Sequence, residues 1–143
     1  MTSTVTQMAA FETAYENVHN ILVQNQNTSY ANRVAALPDR ERSIHIIGMW
    51  DAEVCNGGCS QWISNGYSEF GDELLAILAR LEVPYAAQVR NIVRKALEAG
   101  DEPKTEDGYD RWSEFLDPLD DEYYTINDAF MQGVAQHFCS VNV

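Results

Sequence analysis

The chain has 143 residues, 45% of them hydrophobic, and carries 22 acidic against 9 basic residues for a net charge of −13. That apolar content can bury a core, which excludes a disordered acidic tail. The charge disfavours direct binding to nucleic acid or anionic membranes and favours basic surfaces, of which nucleic-acid-binding proteins are the largest class.

No stretch reaches the roughly 18 continuous apolar residues of a membrane span. The opening Met1-Thr2-Ser3-Thr4 lacks the basic, then apolar, pattern of a signal peptide. Cys55, Cys59 and Cys139 make an odd count in a chain too large to need disulfide staples, so reduced thiols and a cytoplasmic location are expected. The length suits one domain over residues 1–143.

In chain order, Thr4 and Gln7 match a capping box ahead of an apolar stripe at Phe11, Tyr15, Val18 and Leu22, predicting a helix over about residues 5–24. A polar loop over residues 24–29 and a short helical turn over 30–37 follow. Asp39, after Pro38, is placed to cap the next helix, whose inner face is Ile47, Trp50 and Val54. Asn56-Gly57-Gly58 interrupts it, because paired glycines supply left-handed backbone or close approach without steric cost. A short helix over 59–65 closes at Asn65-Gly66. Residues 68–83 read as a helix with Leu74, Ile77, Leu78 and Leu81 inward. Pro84 fits the first position of another, which buries Val89, Ile92, Val93, Ala96 and Leu97 and ends at Gly100. Residues 101–117 read as part loop, part helical turn. Asp117 as cap and Pro118 as first residue open a last helix through Tyr123, Ile126, Phe130, Val134 and Phe138. No segment alternates with period two for long, so the fold class is all-α, with about five to seven helices.

Residues 101–128 hold 11 acids and 2 bases, so −9 of the −13 falls in about a fifth of the chain. Some of these acids neutralise a helix N-terminus or solvate a loop. Carboxylates three or four apart on a helix lie about 5–6 Å from one another, a spacing with which a surface can imitate a phosphate backbone.

Other chemistries lack their residues. An EF-hand register counted back from Gly108 puts Pro103 where an acid is needed, so calcium is not expected. Cys55 and Cys59 lack two further ligands at zinc spacing and read as buried small hydrophobes. Cys59 has no identifiable base or oxyanion hole. His45 lies in an apolar run and reads as a packing residue. Glu53 reads as an acceptor for amides of the glycine turn. No catalytic residue, metal ligand or cofactor is assigned, and no enzyme activity is expected.

Glu53, Asn56, Gly57, Gly58, Gln61, Trp62 and Asn65 together resemble the motif of a bacterial DNA-mimic-protein-like domain family, long a domain of unknown function. The leucine-rich helix that follows and Leu119-Asp120-Asp121-Glu122-Tyr123-Tyr124 match in kind, so the similarity covers about residues 40–138. Cys59 and Ile63 stand where the family favours aromatics. The resemblance implies an all-α domain, often a homodimer, whose motif residues are architectural and whose acidic face occupies the DNA site of a transcription factor. On this chain Glu102, Glu106, Asp107, Asp110, Glu114, Asp120 and Asp121 are the expected contact residues. The expected partner is a basic DNA-binding protein. The alternatives are an immunity- or antitoxin-type module using the same acidic field, and a structural domain with an acidic surface.

Overall fold

The computed structural model describes residues 4–24 and 27–139, with side chains from residue 5. Those residues form six α-helices and no strand: α1 (Thr4–Gln24), α2 (Tyr30–Ala35), α3 (Asp39–Ser64), α4 (Gly71–Arg80), α5 (Ala86–Ala99) and α6 (Glu106–Cys139). A short 3-10 turn, Tyr67–Phe70, leads into α4. The Thr4 side chain of the expected capping box, and part of the loop at residues 25–26, lie outside the described residues.

The chain divides into two compact units, Met1–Gly48 with Met131–Val143, and Met49–Phe130. In the first, α1 buries Phe11, Val18 and Leu22 at spacings of seven and four, the stripe a core-facing helix requires. Val34, Ile44, Ile47 and Val134 are buried in the same unit. Gly48 admits the Tyr15 ring against its backbone, where a Cβ would overlap it. Asp39 does not cap backbone amides. It is the first residue of α3, past the cap position that Pro38 occupies, and its exposed carboxylate accepts from Arg42 Nη2 at 2.7 Å, one turn on. Arg40 Nε and Nη2 donate to the Phe138 carbonyl at 3.1 and 2.9 Å, a cation on the last turn of α6, where the macrodipole is negative.

In the second unit Trp50 packs edge-on against Trp62, with centroids 5.0 Å apart, and against Tyr123, 5.5 Å away. Leu74, Ile77 and Leu78 of α4 and Val89, Ile92, Val93 and Ala96 of α5 are buried. Gly71 opens α4 against the Leu97 side chain, with no room for a Cβ. Pro84 is not the first residue of α5. It lies in the turn before it, and Tyr85 stands at the N-cap with φ 66°. The left-handed residue redirects the chain between the two helices, so the helix starts two residues later than the proline suggested.

The larger correction concerns α6. The expected start at Asp117-Pro118 is absent, and one helix of 34 residues runs through the proline. Pro118 removes the rung to the Glu114 carbonyl. Both residues are exposed, so water can solvate that carbonyl. Trp112, Leu116, Leu119 and Tyr123 are buried at spacings of four, three and four, a stripe that keeps one phase across the proline and holds the helix continuous. Pro118→Ala should therefore stabilise the protein by ~1–2 kcal/mol, less than the full interior penalty because proline also restricts the unfolded chain. A higher urea midpoint at unchanged m-value would register it.

Candidate functional site

Continuity through Pro118 creates a surface feature. Glu106, Asp110, Glu114, Asp117, Asp121 and Asp128 are all exposed and follow one another at spacings of four, four, three, four and seven. At 3.6 residues per turn they share one face of α6, a row about 33 Å long with a carboxylate every ~6 Å on average. Tyr124 fills the turn between Asp121 and Asp128, 45% exposed, and its hydroxyl donates to the Val54 carbonyl at 2.8 Å. None of the six carboxylates has a hydrogen bond or ion pair among the described residues. Ion pairs Arg40–Glu41 and Arg42–Asp39 lie at the start of α3, away from the row in sequence. Four successive like-charge pairs at i,i+3 or i,i+4 cost roughly 0.2–0.5 kcal/mol each. With no ion pair to these carboxylates among the described residues, the row is an electrostatic load on the fold.

The expected contact residues divide on this geometry. Glu106, Asp110, Glu114 and Asp121 lie on the row, and Asp107 is exposed on its flank. Glu102 precedes α6, exposed, and accepts from Ser64 Oγ at 3.1 Å. Asp120 is half-buried, away from the row, and accepts from the Cys59 amide at 2.7 Å. Asp117 and Asp128 belong to the row although the sequence reading did not choose them. The missed signal was the spacing of three and four from Glu106 to Asp121, resumed two turns on at Asp128 and hidden by the helix boundary expected at Pro118. The unit Met49–Phe130 carries 18 acids and 6 bases, so −12 of the −13 resides there.

The glycine motif is a brace for α3. Gly58, at φ 84° and ψ 177°, breaks the helix between its long and short segments. The amide of Cys59 opens the short segment as an orphan donor, and the Asp120 carboxylate caps it from α6. Across the break, Gln61 Nε2 and Asn65 Nδ2 donate to Glu53 Oε2, the latter at 3.1 Å, while Asn56 Nδ2 donates to Gln61 Oε1 at 3.2 Å. Glu53 thus accepts side-chain amides and not the turn's backbone. Gly57 leaves the space that the Gln61 amide occupies. Trp62 faces the core against Trp50.

The thiols are unsuited to nucleophilic work. Cys59 is buried beside Asp120, and both factors push its thiol far up. Cys55 is exposed, not buried as its spacing suggested. Its pKa is pushed up to about 12 by partial burial and by Asp51, to which its Sγ donates at 3.5 Å. The three cysteines are free. Among the described residues no group of three or more His, Cys, Asp or Glu could hold a metal ion, and no helix is long and apolar enough to cross a membrane.

Compared with known proteins, the chain matches the family model described as DMP19-like protein over residues 35–140. Neither the curated proteins nor the solved structures yielded a match.

Proposed function

The chain belongs to the DMP19-like protein family, and from that premise we propose that it is a DNA mimic: an acidic protein that binds a basic DNA-binding protein and blocks its access to DNA. The family is of the DNA-mimic type. The single observation that carries the reading here is the uncompensated row of six exposed carboxylates on α6.

Magnitudes limit what the row imitates. Duplex DNA carries a charge per roughly 1.7 Å of axis and one strand a charge per roughly 3.4 Å. At one charge per ~6 Å the row falls short of a duplex and comes within about twofold of a single strand's phosphates. Asp107 on the flank raises the local density at the N-terminal end. The matching partner surface is one line of Lys and Arg that tracks a phosphate strand. Such contacts speed association and weaken with salt.

The test is a pull-down from host lysate at low salt, with wild type compared against a variant carrying Glu106→Gln, Asp110→Asn, Glu114→Gln and Asp117→Asn. The expected result is retention of a DNA-binding protein that duplex DNA or moderate salt displaces, with affinity reduced about 10- to 100-fold in the variant. Equal retention by both proteins would end the mimic reading. A retained basic partner that binds no DNA would replace it with the immunity-type module.

A further inference from the structure

A second feature of the unit Met49–Phe130 lies apart from the carboxylate row. A pocket of about 400 Å³ opens where α3 and α5 end, within the range of roughly 300–1,000 Å³ typical of small-ligand sites. Its floor is apolar: Ile63 and Ala96 are buried and Leu97 is half-buried. Its lining includes the carboxylate residues Glu69 and Asp101 and no cationic residue. Both acids are exposed, and neither side chain has a hydrogen bond or ion pair among the described residues.

Two helix ends add to the field. Gly66 follows the last turn of α3 and Gly100 closes α5, and both line the pocket. Each helix C-terminus carries the negative end of its macrodipole, roughly half a charge, with the Ile63 and Leu97 carbonyls accepting from the amides of Gly66 and Gly100. Neither helix has a basic residue in its last turn to offset it. The Gly100 carbonyl itself is occupied, accepting from Trp112 Nε1 at 2.9 Å, which fixes this wall. The pocket therefore combines an apolar floor, two exposed carboxylates with no hydrogen bond or ion pair among the described residues, and the negative ends of two helices with no basic residue in their last turns.

That combination suits one ligand chemistry. An apolar floor covers methylene groups, and a negative rim holds a cation at their end, which is the composition of an arginine or lysine side chain. A bare metal ion gains nothing from the apolar floor, and an anion is repelled by the rim. We propose that this pocket receives a single basic side chain, arginine above lysine, from the protein partner. The inference rests on the reading of the chain as a binder of a basic protein and adds an anchor beside the row. Arginine is favoured because its weakly hydrated guanidinium tolerates contact with an apolar floor and can pair with both oxygens of a carboxylate.

The test needs no partner. Uniformly ¹⁵N-labelled full-length protein is titrated with acetyl-Gly-Arg-Gly-amide, followed by amide shifts, and separately with the citrulline analogue, which keeps the shape and lacks the charge. The expected result is saturable shifts at Gly66, Ser68, Gly100 and Asp101 with the arginine peptide. Binding should weaken at least tenfold in a Glu69→Gln, Asp101→Asn double variant, whose exposed positions leave the fold intact. Equal binding of the citrulline peptide, shifts confined to the amides of residues 106–128, or no change in the double variant would each overturn the pocket. Its fate is separable from that of the mimic reading. Saturable pocket shifts support it even if the lysate yields no DNA-binding protein, and their absence removes it even if such a protein is retained.

Discussion

Gly58→Ala is expected to destabilise the protein by about 3 kcal/mol, from two sources. The first is backbone strain. At φ 84° and ψ 177° the residue occupies a region open almost only to glycine, where a side chain costs roughly 1–3 kcal/mol. The second is the neighbour. A Cβ at this position overlaps the Asp120 carboxylate, which must move and release the Cys59 amide it accepts from at 2.7 Å. A hydrogen bond to a charged group contributes about 1.5–3 kcal/mol. A double-mutant cycle separates the two. In an Asp120→Ala background the clash and the bond are already gone, so Gly58→Ala should cost only the strain. The coupling between the positions should then exceed about 1 kcal/mol. Urea unfolding of the four proteins measures it. Additive effects would mean that Asp120 does not brace the break, and a loss under about 1 kcal/mol for the single variant would mean that the backbone tolerates a side chain there.

The wild-type protein should also lose about 3 kcal/mol of stability from one histidine as pH falls from 7 to 4. His45 is 1% exposed. The Tyr30 hydroxyl is hydrogen-bonded to its Nε2, the Tyr15 ring stacks on it at 5.9 Å, and its Nδ1 has no partner among the described residues. Protonation would create a buried charge, with no acceptor for Nδ1–H among the described residues. Burial, and secondarily the nearby His19, lower its pKa to about 4. The unfolded chain protonates this side chain near pH 6.5 and the folded chain resists. Between these values the unfolded state binds more protons, so stability is fully present above about pH 6.5 and is lost as pH falls toward 4. Asp51 and Asp120, both raised by burial, contribute with the opposite sign, so a difference measurement is needed. His45→Gln keeps a side chain that can hydrogen-bond Tyr30 in either direction and does not titrate. Its urea midpoint should depend less on pH than that of wild type across this window. Parallel pH profiles for the two proteins would refute the assignment.

Much of the architecture was legible in the chain. The stripe from Phe11 to Leu22 and the inward faces of α4 and α5 follow from apolar spacing alone, since a helix buries whatever recurs every three to four residues. The interruption at Gly57-Gly58 was equally plain, because only glycine supplies that backbone without strain. Helix boundaries at the prolines were not legible. Proline permits both a helix start and an exposed interior position, and the choice at Pro118 fell to the stripe on the opposite face. That stripe was visible in the sequence, but local proline and cap signals outweighed it.

The sequence by itself determined the charge, its concentration in residues 101–128, the helical class and the motif that carries the family resemblance. These depend on composition and local periodicity, which neighbouring residues fix. The tertiary structure decided which acids serve which end. Asp120 and Asp121 are adjacent and chemically identical, yet one caps an amide 61 positions away and the other joins the exposed row. On a helix, adjacent residues differ in direction by about 100°. Which direction meets protein and which meets water is set only when another segment packs against that helix.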